Sequence, residues 1–390
     1  EGFAPQVAWV THGGNEKLEE RYAIRPTSEA IIGRMYSRWI ESYRDLPILI
    51  NQWANVMRWE KVTRLFLRTA EFLWQEGHTA HATREECQEE VLRMLEVYRD
   101  FVETDLAIPV YGGRKSNAEK FAGAEMTYSI EALMRDGRAL QAGTSHNLGQ
   151  HFAKVFDITY QDEKGVRQHV WQTSWGASTR LVGAVVMTHG DDQGLKLPPV
   201  VAPIQAVVVP IWRKDEDRTA VLEFVDRLKA AVGTHVRLHV DARDQYTPGW
   251  KYNEYELRGV PLRLEVGPRD VASGACMSVR RDTRAKESIP LDGLAERLPA
   301  LLDDIQRSMF EAARTHREQN TTPAASFEDL ERHFAEKRGF VALPWNDDDA
   351  LEARIKAASG ATLRCVPLDQ RPFAGMSRGG LPVALFARAY

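Results

Sequence analysis

Two arginines open the chemistry. Arg58-Trp59-Glu60 is followed, after a short loop, by Phe66-Leu67-Arg68-Thr69-Ala70-Glu71-Phe72. A guanidinium is planar, permanently charged, and forked to match two phosphate oxygens. An aromatic just after the second arginine offers a face on which a base can stack. The pattern reads as a clamp for a nucleoside triphosphate. A pair of hairpin arginines in surface salt bridges is the competing reading. A second stretch, Gly176-Ala177-Ser178-Thr179-Arg180-Leu181-Val182-Gly183, sets small residues and one arginine ahead of the apolar run 184–187. Arg180 then stands near a helix start, where a phosphate or a base can approach. A turn with a capping arginine explains the same residues.

These side chains need a frame. Residues 27–44 carry Ile31, Ile32, Met35, Trp39, Ile40 and Tyr43 at helical spacing, with Thr27 or Ser28 as cap and Pro47 as stop. Residues 48–59 read as a strand. Thr83-Arg84-Glu85-Glu86 is a capping box that opens a long helix, apolar at Val91, Leu92, Met94, Leu95, Tyr98 and Val102 and stopping before Pro109. Residues 139–156 and 168–187 are further strand and helix material. The three prolines in Lys196-Leu197-Pro198-Pro199-Val200-Val201-Ala202-Pro203 make a stiff linker. Beyond it come a strand at 206–211, a helix over 215–232, a strand at 236–240, a short helix over 251–257, strands at 262–266 and 276–279, and a helix over 291–314. Strands alternating with helices predict a small α/β domain with a largely buried sheet. Gln319-Asn320-Thr321-Thr322-Pro323 marks a second boundary, after which 325–390 reads helix, strand, helix, strand.

Bulk properties bound the rest. A chain of 390 residues has material for two or three domains. No apolar run approaches the roughly 20 residues of a membrane span, and no signal segment opens the chain. Cys87, Cys276 and Cys365 are far apart and form no Cys-x-x-Cys pair, which argues against a disulfide framework and fits a reducing cytoplasm. A net charge of −4 excludes a general nucleic-acid glue, so any RNA contact needs a local basic surface.

Taken together, the Arg-x-Glu, Phe-Leu-Arg and downstream Phe resemble motif 2 of the class II aminoacyl-tRNA synthetases, and the Gly-to-Arg element resembles motif 3. The prolyl branch is picked out by Arg25-Pro26-Thr27-Ser28-Glu29, Phe72-Leu73-Trp74-Gln75-Glu76-Gly77-His78, Lys120-Phe121-Ala122-Gly123 and Gln141-Ala142-Gly143-Thr144-Ser145-His146. The resemblance covers nearly the whole chain, most strongly 21–203. It implies an α+β catalytic domain with an antiparallel sheet over 1–198. An α/β anticodon-binding domain follows over 203–316, and a small α/β C-terminal domain over 325–390. It implies a proline–tRNA ligase that takes ATP with magnesium, L-proline and tRNA(Pro), works in the cytoplasm, and is a homodimer in the full-length protein.

The resemblance also assigns roles. Glu29 with Thr27 would hold the proline ring nitrogen; as a bare residue, Glu29 is a first-turn glutamate favoured by the helix dipole. Trp74, Glu76, Phe121 and His146 would shape the rest of that pocket. Arg58 would bridge the α-phosphate and the proline carboxylate, and Arg68 would hold the γ-phosphate with Thr69 nearby. Phe72 and Arg180 would take the two faces of adenine. Gln141, Thr144 and Ser178 would contact the nucleotide, Gln141 also magnesium, and Glu60 a ribose or adenine. In the second domain Arg263, Arg280, Arg281, Arg284 and Lys286 form a basic set among nearby carboxylates.

The sequence departs from the family in places. No motif 1 helix precedes Glu1-Gly2-Phe3, which reads as a missing N-terminal segment. The stretch between motifs 2 and 3 is too short for the editing domain of many bacterial enzymes. The chain therefore resembles the archaeal and eukaryotic-like subgroup. That subgroup often carries zinc through four cysteines; here only Cys365 stands, beside Arg364 and Val366, and no zinc site is expected. The final Ala389-Tyr390 matches the subgroup's ending; a tyrosine packed near the catalytic domain is one reading and a frayed tail the other. Two alternatives stand against this reading: a threonyl or histidyl relative, and a catalytically inactive synthetase-like RNA-binding protein. The latter would be expected to lose Arg58, Arg68 or Arg180.

Overall fold

The computed structural model describes residues 6–376 and 379–390; the opening Glu1-Gly2-Phe3 lies outside them. The chain divides into two compact units. One holds residues up to Phe101, Val110–Ala184 and Arg317–Tyr390; the other holds Val102–Pro109 and Val185–His316.

The first unit is built on one ten-stranded sheet. A hairpin of β1 (Ala8–Gly13) and β2 (Glu16–Ile24) precedes α1 (Glu29–Trp39), then β3 (Ile48–Met57) and β4 (Glu71–His81). The long helix α2 (Arg84–Asp100) leads to β5 (Val110–Arg114), β6 (Met126–Leu133) and β7 (Ala139–Gly149). After α3 (His151–Val155) and the small pair β8 (Thr159–Gln161) and β9 (Arg167–His169) comes β10 (Trp171–Ser178), which runs into α4 (Arg180–His189). Strands β5, β6, β7, β10, β4 and β3 pair antiparallel in that spatial order. Helix α2 packs on one face of this sheet. There the Tyr98 hydroxyl donates to Gln75 Oε1 at 2.6 Å, and its ring lies 6.5 Å from that of Trp175. Trp175 lies flat on Gly77, where a Cβ would come within 2.0 Å of the indole, so a glycine is required opposite it.

Two helix starts differ from their sequence reading. Ser28 occupies the N-cap of α1 but makes no capping bond, because its hydroxyl is turned to Glu76. The helix ends at Trp39, with Ile40 extended, rather than at 44. Thr83 caps α2 through Glu86 N at 3.2 Å, but the reciprocal half of the capping box is not formed.

The second unit holds a five-stranded mixed sheet. It comprises β11 (Ala206–Pro210), α5 (Asp215–Val232), β12 (Leu238–Val240), α6 (Pro248–Leu257), β13 (Leu262–Val266), α7 (Pro268–Ser273), β14 (Ala275–Arg280), β15 (Lys286–Pro290) and α8 (Leu294–Gln319). β12, β11 and β13 are parallel neighbours; β14 and β15 add on antiparallel. Val221, Phe224, Val225 and Leu228 of α5 and Leu298, Leu302 and Ile305 of α8 bury against β11, β13 and β14. The basic set expected here is largely spent on carboxylates. Arg263 binds Glu256 and Glu265, Arg280 binds Asp282, and Arg281 forks onto Asp191 at 2.6 and 3.0 Å.

Residues 317–390 return to the first unit. β16 (Thr321–Pro323), α9 (Phe327–Glu336), β17 (Phe340–Pro344), α10 (Asp349–Ser359), β18 (Thr362–Pro367) and β19 (Val383–Ala387) add four strands to the same sheet. The join is β18 on β5, Val366 opposite Arg114 and Pro367 opposite Gly113. A Cβ on Gly113 would stand 2.4 Å from Val366 O, so only glycine permits this approach. Arg364 of β18 and Lys115 meet on Glu131 at 2.8 and 3.0 Å, and all three side chains are buried. Buried charges of this kind hold only when paired and hydrogen-bonded, as here with Ser129 also donating to Glu131 at 2.8 Å. Cys365 is buried, with Sγ 3.9 Å from Tyr111 O.

Candidate active site

Opposite residues on neighbouring strands share a face, so the register gives the site's floor directly. One row crosses the sheet as Thr127, His146, Ser174 and His78. The next runs Ser129, Thr144, Gly176, Glu76 and Gln52. A third pairs Ser178 with Trp74. This is the face opposite α2, and it floors a cavity of about 240 Å³.

Of the residues singled out in the sequence, Thr27, Glu29, Arg58, Phe72, Trp74, Glu76, Phe121, Gln141, Thr144, His146, Ser178 and Arg180 all line that cavity. Glu60, Arg68 and Thr69 line an adjoining one, which shares Arg58, Phe72, Ser178 and Arg180 with the first. The two arginines of the first motif lie in loop 58–70. Arg58 N bonds Ala70 O at 2.7 Å across its base. Arg64 and Arg68 exchange backbone bonds at 2.7 and 2.9 Å, and between them Phe66 takes a left-handed conformation (φ 58°).

At one end of the cavity, the Thr27 hydroxyl donates to one oxygen of the buried Glu29. Glu76 is satisfied from three sides: the Ser28 hydroxyl and Gln52 Nε2 (2.6 Å) on one oxygen, His78 Nε2 (3.1 Å) on the other. Burial works to raise its pKa, but the bonds from His78, Ser28 and Gln52 outweigh it, and Glu76 stays below the usual carboxylate range. His146 Nδ1 lies 2.9 Å from Thr127 Oγ1, and its ring is 4.7 Å from that of Phe121. Burial, with the charges of Lys115 and His78, pushes His146 down to about 3, so the imidazole is neutral at ordinary pH.

At the other end, the Arg58 guanidinium donates to Pro26 O at 2.9 Å and sits 5.2 Å over the Phe72 ring. Burial lowers its pKa, and Glu29, Glu60 and Glu76 oppose that. Arg180 begins α4 and donates to Leu67 O (3.1 Å) and Gln141 O (3.4 Å). Burial and the nearby Arg68 and Arg58 push it down to about 10, still charged at neutral pH. Arg68 donates to the main-chain oxygen of Tyr390 at 3.2 Å, and Arg64 and Arg138 flank the Tyr390 ring. The arrangement is a carboxylate-and-aromatic pocket continuous with a cationic channel. It can hold a small ammonium compound beside a polyphosphate.

Sequence reasoning missed His78, Ser174, Thr127, Glu119 and Lys120 on the walls. The alternation along β4 pointed to the first: Trp74, Glu76 and His78 are every second residue of a strand. Thr127 and Ser174 needed the cross-strand register, which no local pattern supplies.

The chain was compared with known proteins. A family model for the class II tRNA synthetase core domain (G, H, P, S and T) matches residues 9–189. A second, for an anticodon-binding domain, matches 205–301, and a third, for the prolyl-tRNA synthetase C-terminal region, matches 327–390. A proline–tRNA ligase of Natranaerobius thermophilus is 54% identical over 395 residues, covering 100% of this chain and 82% of its own. Proline–tRNA ligase 2 of Clostridioides difficile is 56% identical over 371 residues, with 95% and 76% covered. The crystal structure of Cryptosporidium parvum prolyl-tRNA synthetase, complexed with halofuginone and AMPPNP, superposes with a TM-score of 0.92 at 42% identity. It covers 100% of this chain and 83% of that one. With its cavity walls, its three matched regions and relatives of this identity along its length, the chain belongs to the class II prolyl-tRNA synthetases.

Proposed function

We propose that the chain activates L-proline with ATP and transfers it to the 3′ end of tRNA(Pro). The observation that carries this reading is the convergence of Thr27, Glu29, Arg58, His146 and Arg180 on one cavity in a chain of this family. Glu29 accepts both N–H protons of the proline ring nitrogen, oriented by the Thr27 hydroxyl. Trp74, Phe121 and neutral His146 enclose the apolar ring, and Glu76 braces that wall through Ser28, Gln52 and His78.

Arg58, anchored on Pro26 O, holds the proline carboxylate against the α-phosphate. A carboxylate oxygen attacks phosphorus in line, the bond to the bridging oxygen breaks, and pyrophosphate leaves with the electron pair. Arg58 stabilises the charge that builds on the phosphoryl oxygens, and Arg68 with Thr69 holds the far phosphate. Adenine lies between Phe72 and Arg180, with Glu60, Thr144 and Ser178 as polar contacts. The adenylate then acylates the terminal ribose, and AMP leaves. No group of three or more His, Cys, Asp or Glu able to hold a metal occurs among the described residues. Magnesium would come with the nucleotide, with Gln141 as the residue beside it, and would supply counter-charge to the phosphates.

The divisions 1–198, 203–316 and 325–390 serve as catalytic, anticodon-binding and C-terminal domains. The lack of room for an editing domain supports the archaeal and eukaryotic-like subgroup. No helix among the described residues is long and apolar enough to cross a membrane. The three buried free cysteines suit the reducing cytoplasm. A homodimer is supported by the outer strands β3 and β4, whose Leu49, Trp53 and Leu73 leave an exposed apolar face, with Trp53 84% exposed.

Proline-dependent ATP–pyrophosphate exchange tests the assignment, with threonine and histidine as controls. Exchange with proline alone is expected. Exchange driven by threonine or histidine would replace the substrate. A silent full-length protein that still binds tRNA would support the inactive alternative.

A further inference from the structure

The loop between β5 and β6 brings Glu119, Lys120 and Phe121 to the cavity wall, yet it has no helix or strand of its own. Phe121 is fixed from the sheet, its N–H donating to Thr127 Oγ1 at 2.9 Å and its ring lying against His146. Ahead of Phe121, the loop is tied to the C-terminal segment. Arg114 Nη2 lies between the two carboxylate oxygens of Asp347, at 2.8 and 2.9 Å. The Ser116 hydroxyl donates to Glu352 Oε1 of α10 at 2.8 Å and accepts from Glu119 N at 3.3 Å. Lys356, one turn further along α10, reaches Glu119 Oε1 at 3.3 Å. Ser116 and Glu352 are 3% and 4% exposed.

We propose that α10 is a brace for the amino-acid pocket, with Glu352 as a positioning residue: it fixes Ser116, Ser116 fixes Glu119, and the wall from Glu119 to Phe121 is thereby held against the proline ring. The contact is a poor choice for stability alone. Glu352 Oε2 is buried with no hydrogen-bond partner among the described residues, and burial raises its pKa. An apolar contact would join the two elements without that penalty. What a carboxylate adds is direction, since it holds one hydroxyl at one point. The proposal rests on the cavity being the proline site.

The test uses the full chain with Glu352→Ala, Glu352→Gln and Lys356→Glu. In pyrophosphate exchange, Glu352→Ala should raise KM for proline about tenfold and leave KM for ATP within about twofold, since small misplacements of a wall act on the substrate it touches. Glu352→Gln keeps an acceptor for Ser116 and should restore KM for proline to within about threefold of the parent. Lys356 is exposed, so its replacement leaves the fold intact, and the new repulsion with Glu119 should raise KM for proline about threefold. Amide hydrogen exchange gives a readout independent of turnover: residues 115–121 should exchange about tenfold faster in Glu352→Ala and Lys356→Glu, with α1 unchanged. Unchanged KM for proline in both variants would overturn the brace. So would a fall in kcat with both KM values intact, or unchanged protection of the loop. The last result bears on the brace even if the parent chain shows no exchange, which would instead count against the functional reading.

Discussion

The cavity arginines of the first unit and four arginines of the second do opposite work. In the first, Arg180 donates to the carbonyls of Leu67 and Gln141, and Arg58 to Pro26 O. Carbonyls fix the direction of a guanidinium without cancelling its charge. Burial and mutual repulsion hold Arg180 down to about 10, a tension that the phosphates of the proposed nucleotide would relieve. In the second unit, Arg263, Arg280, Arg281 and Arg243 each meet a carboxylate. There the charge is neutralised locally, and Arg263, Arg243 and Arg281 work as clips between segments. A count of cations along a sequence does not separate these cases; the oxygen each one meets does.

The sharpest way to break this contrast is to delete from each side. Arg58→Ala should lower kcat/KM for exchange about 100- to 1000-fold, the loss expected for one preorganised charge at a phosphoryl centre, and Arg180→Ala, which removes one face of the proposed adenine site, about 10- to 100-fold. Thermal unfolding of Arg180→Ala should match or exceed the parent, because a repelled buried charge is removed. A loss under about fivefold in exchange would place these arginines with the clips. Arg281→Ala should do the reverse. It leaves Lys196 as the one cation on Asp191, destabilises by about 2–3 kcal/mol in urea unfolding, and leaves kcat for exchange within about twofold.

A smaller effect sits on pH. Burial holds His146 at about 3, against 6.5 for a free imidazole, so the folded state stays neutral where the unfolded chain takes up a proton. Stability is then full above 6.5 and falls as pH drops towards 3, by at most about 1.4 kcal/mol per pH unit from this residue. His189, held at about 4 by its burial, adds a similar loss in the second unit below 6.5. Melting temperature followed down through this window should fall more gently in His146→Gln. The smallest effect belongs to surface pairs. Arg218→Ala breaks an exposed contact with Asp244 and should change stability by no more than about 0.5 kcal/mol, with exchange unaffected.

What was legible in the sequence follows from range. Helix α5 was read residue for residue over 215–232, since its apolar positions repeat every turn and acidic residues crowd its first one. The β1–β2 hairpin was not read, because nearly every one of its side chains is exposed and no alternation marks it. The short edge strand β15 was missed because Lys286, Glu287 and Ser288 are polar and Ile289 is its one buried apolar residue. The cavity residues came from motif strings, whereas Ser174 and Thr127 depended on register. The continuous sheet was invisible because Pro367 and Gly113 meet across most of the chain, and the only local trace of that meeting is the glycine itself.

That late pairing bears on how the chain comes off the ribosome. By the time residue 316 has been made, every strand of the second unit exists, and so do β3 to β7 and β10. Strand β5 nevertheless still has a bare edge, and Lys115 and Glu131 lack their third partner until Arg364 arrives. A nascent synthetase therefore carries a finished downstream body while its first is open along one side. This is the interval in which an unpaired strand invites the wrong neighbour, and in which a holding chaperone has something to cover.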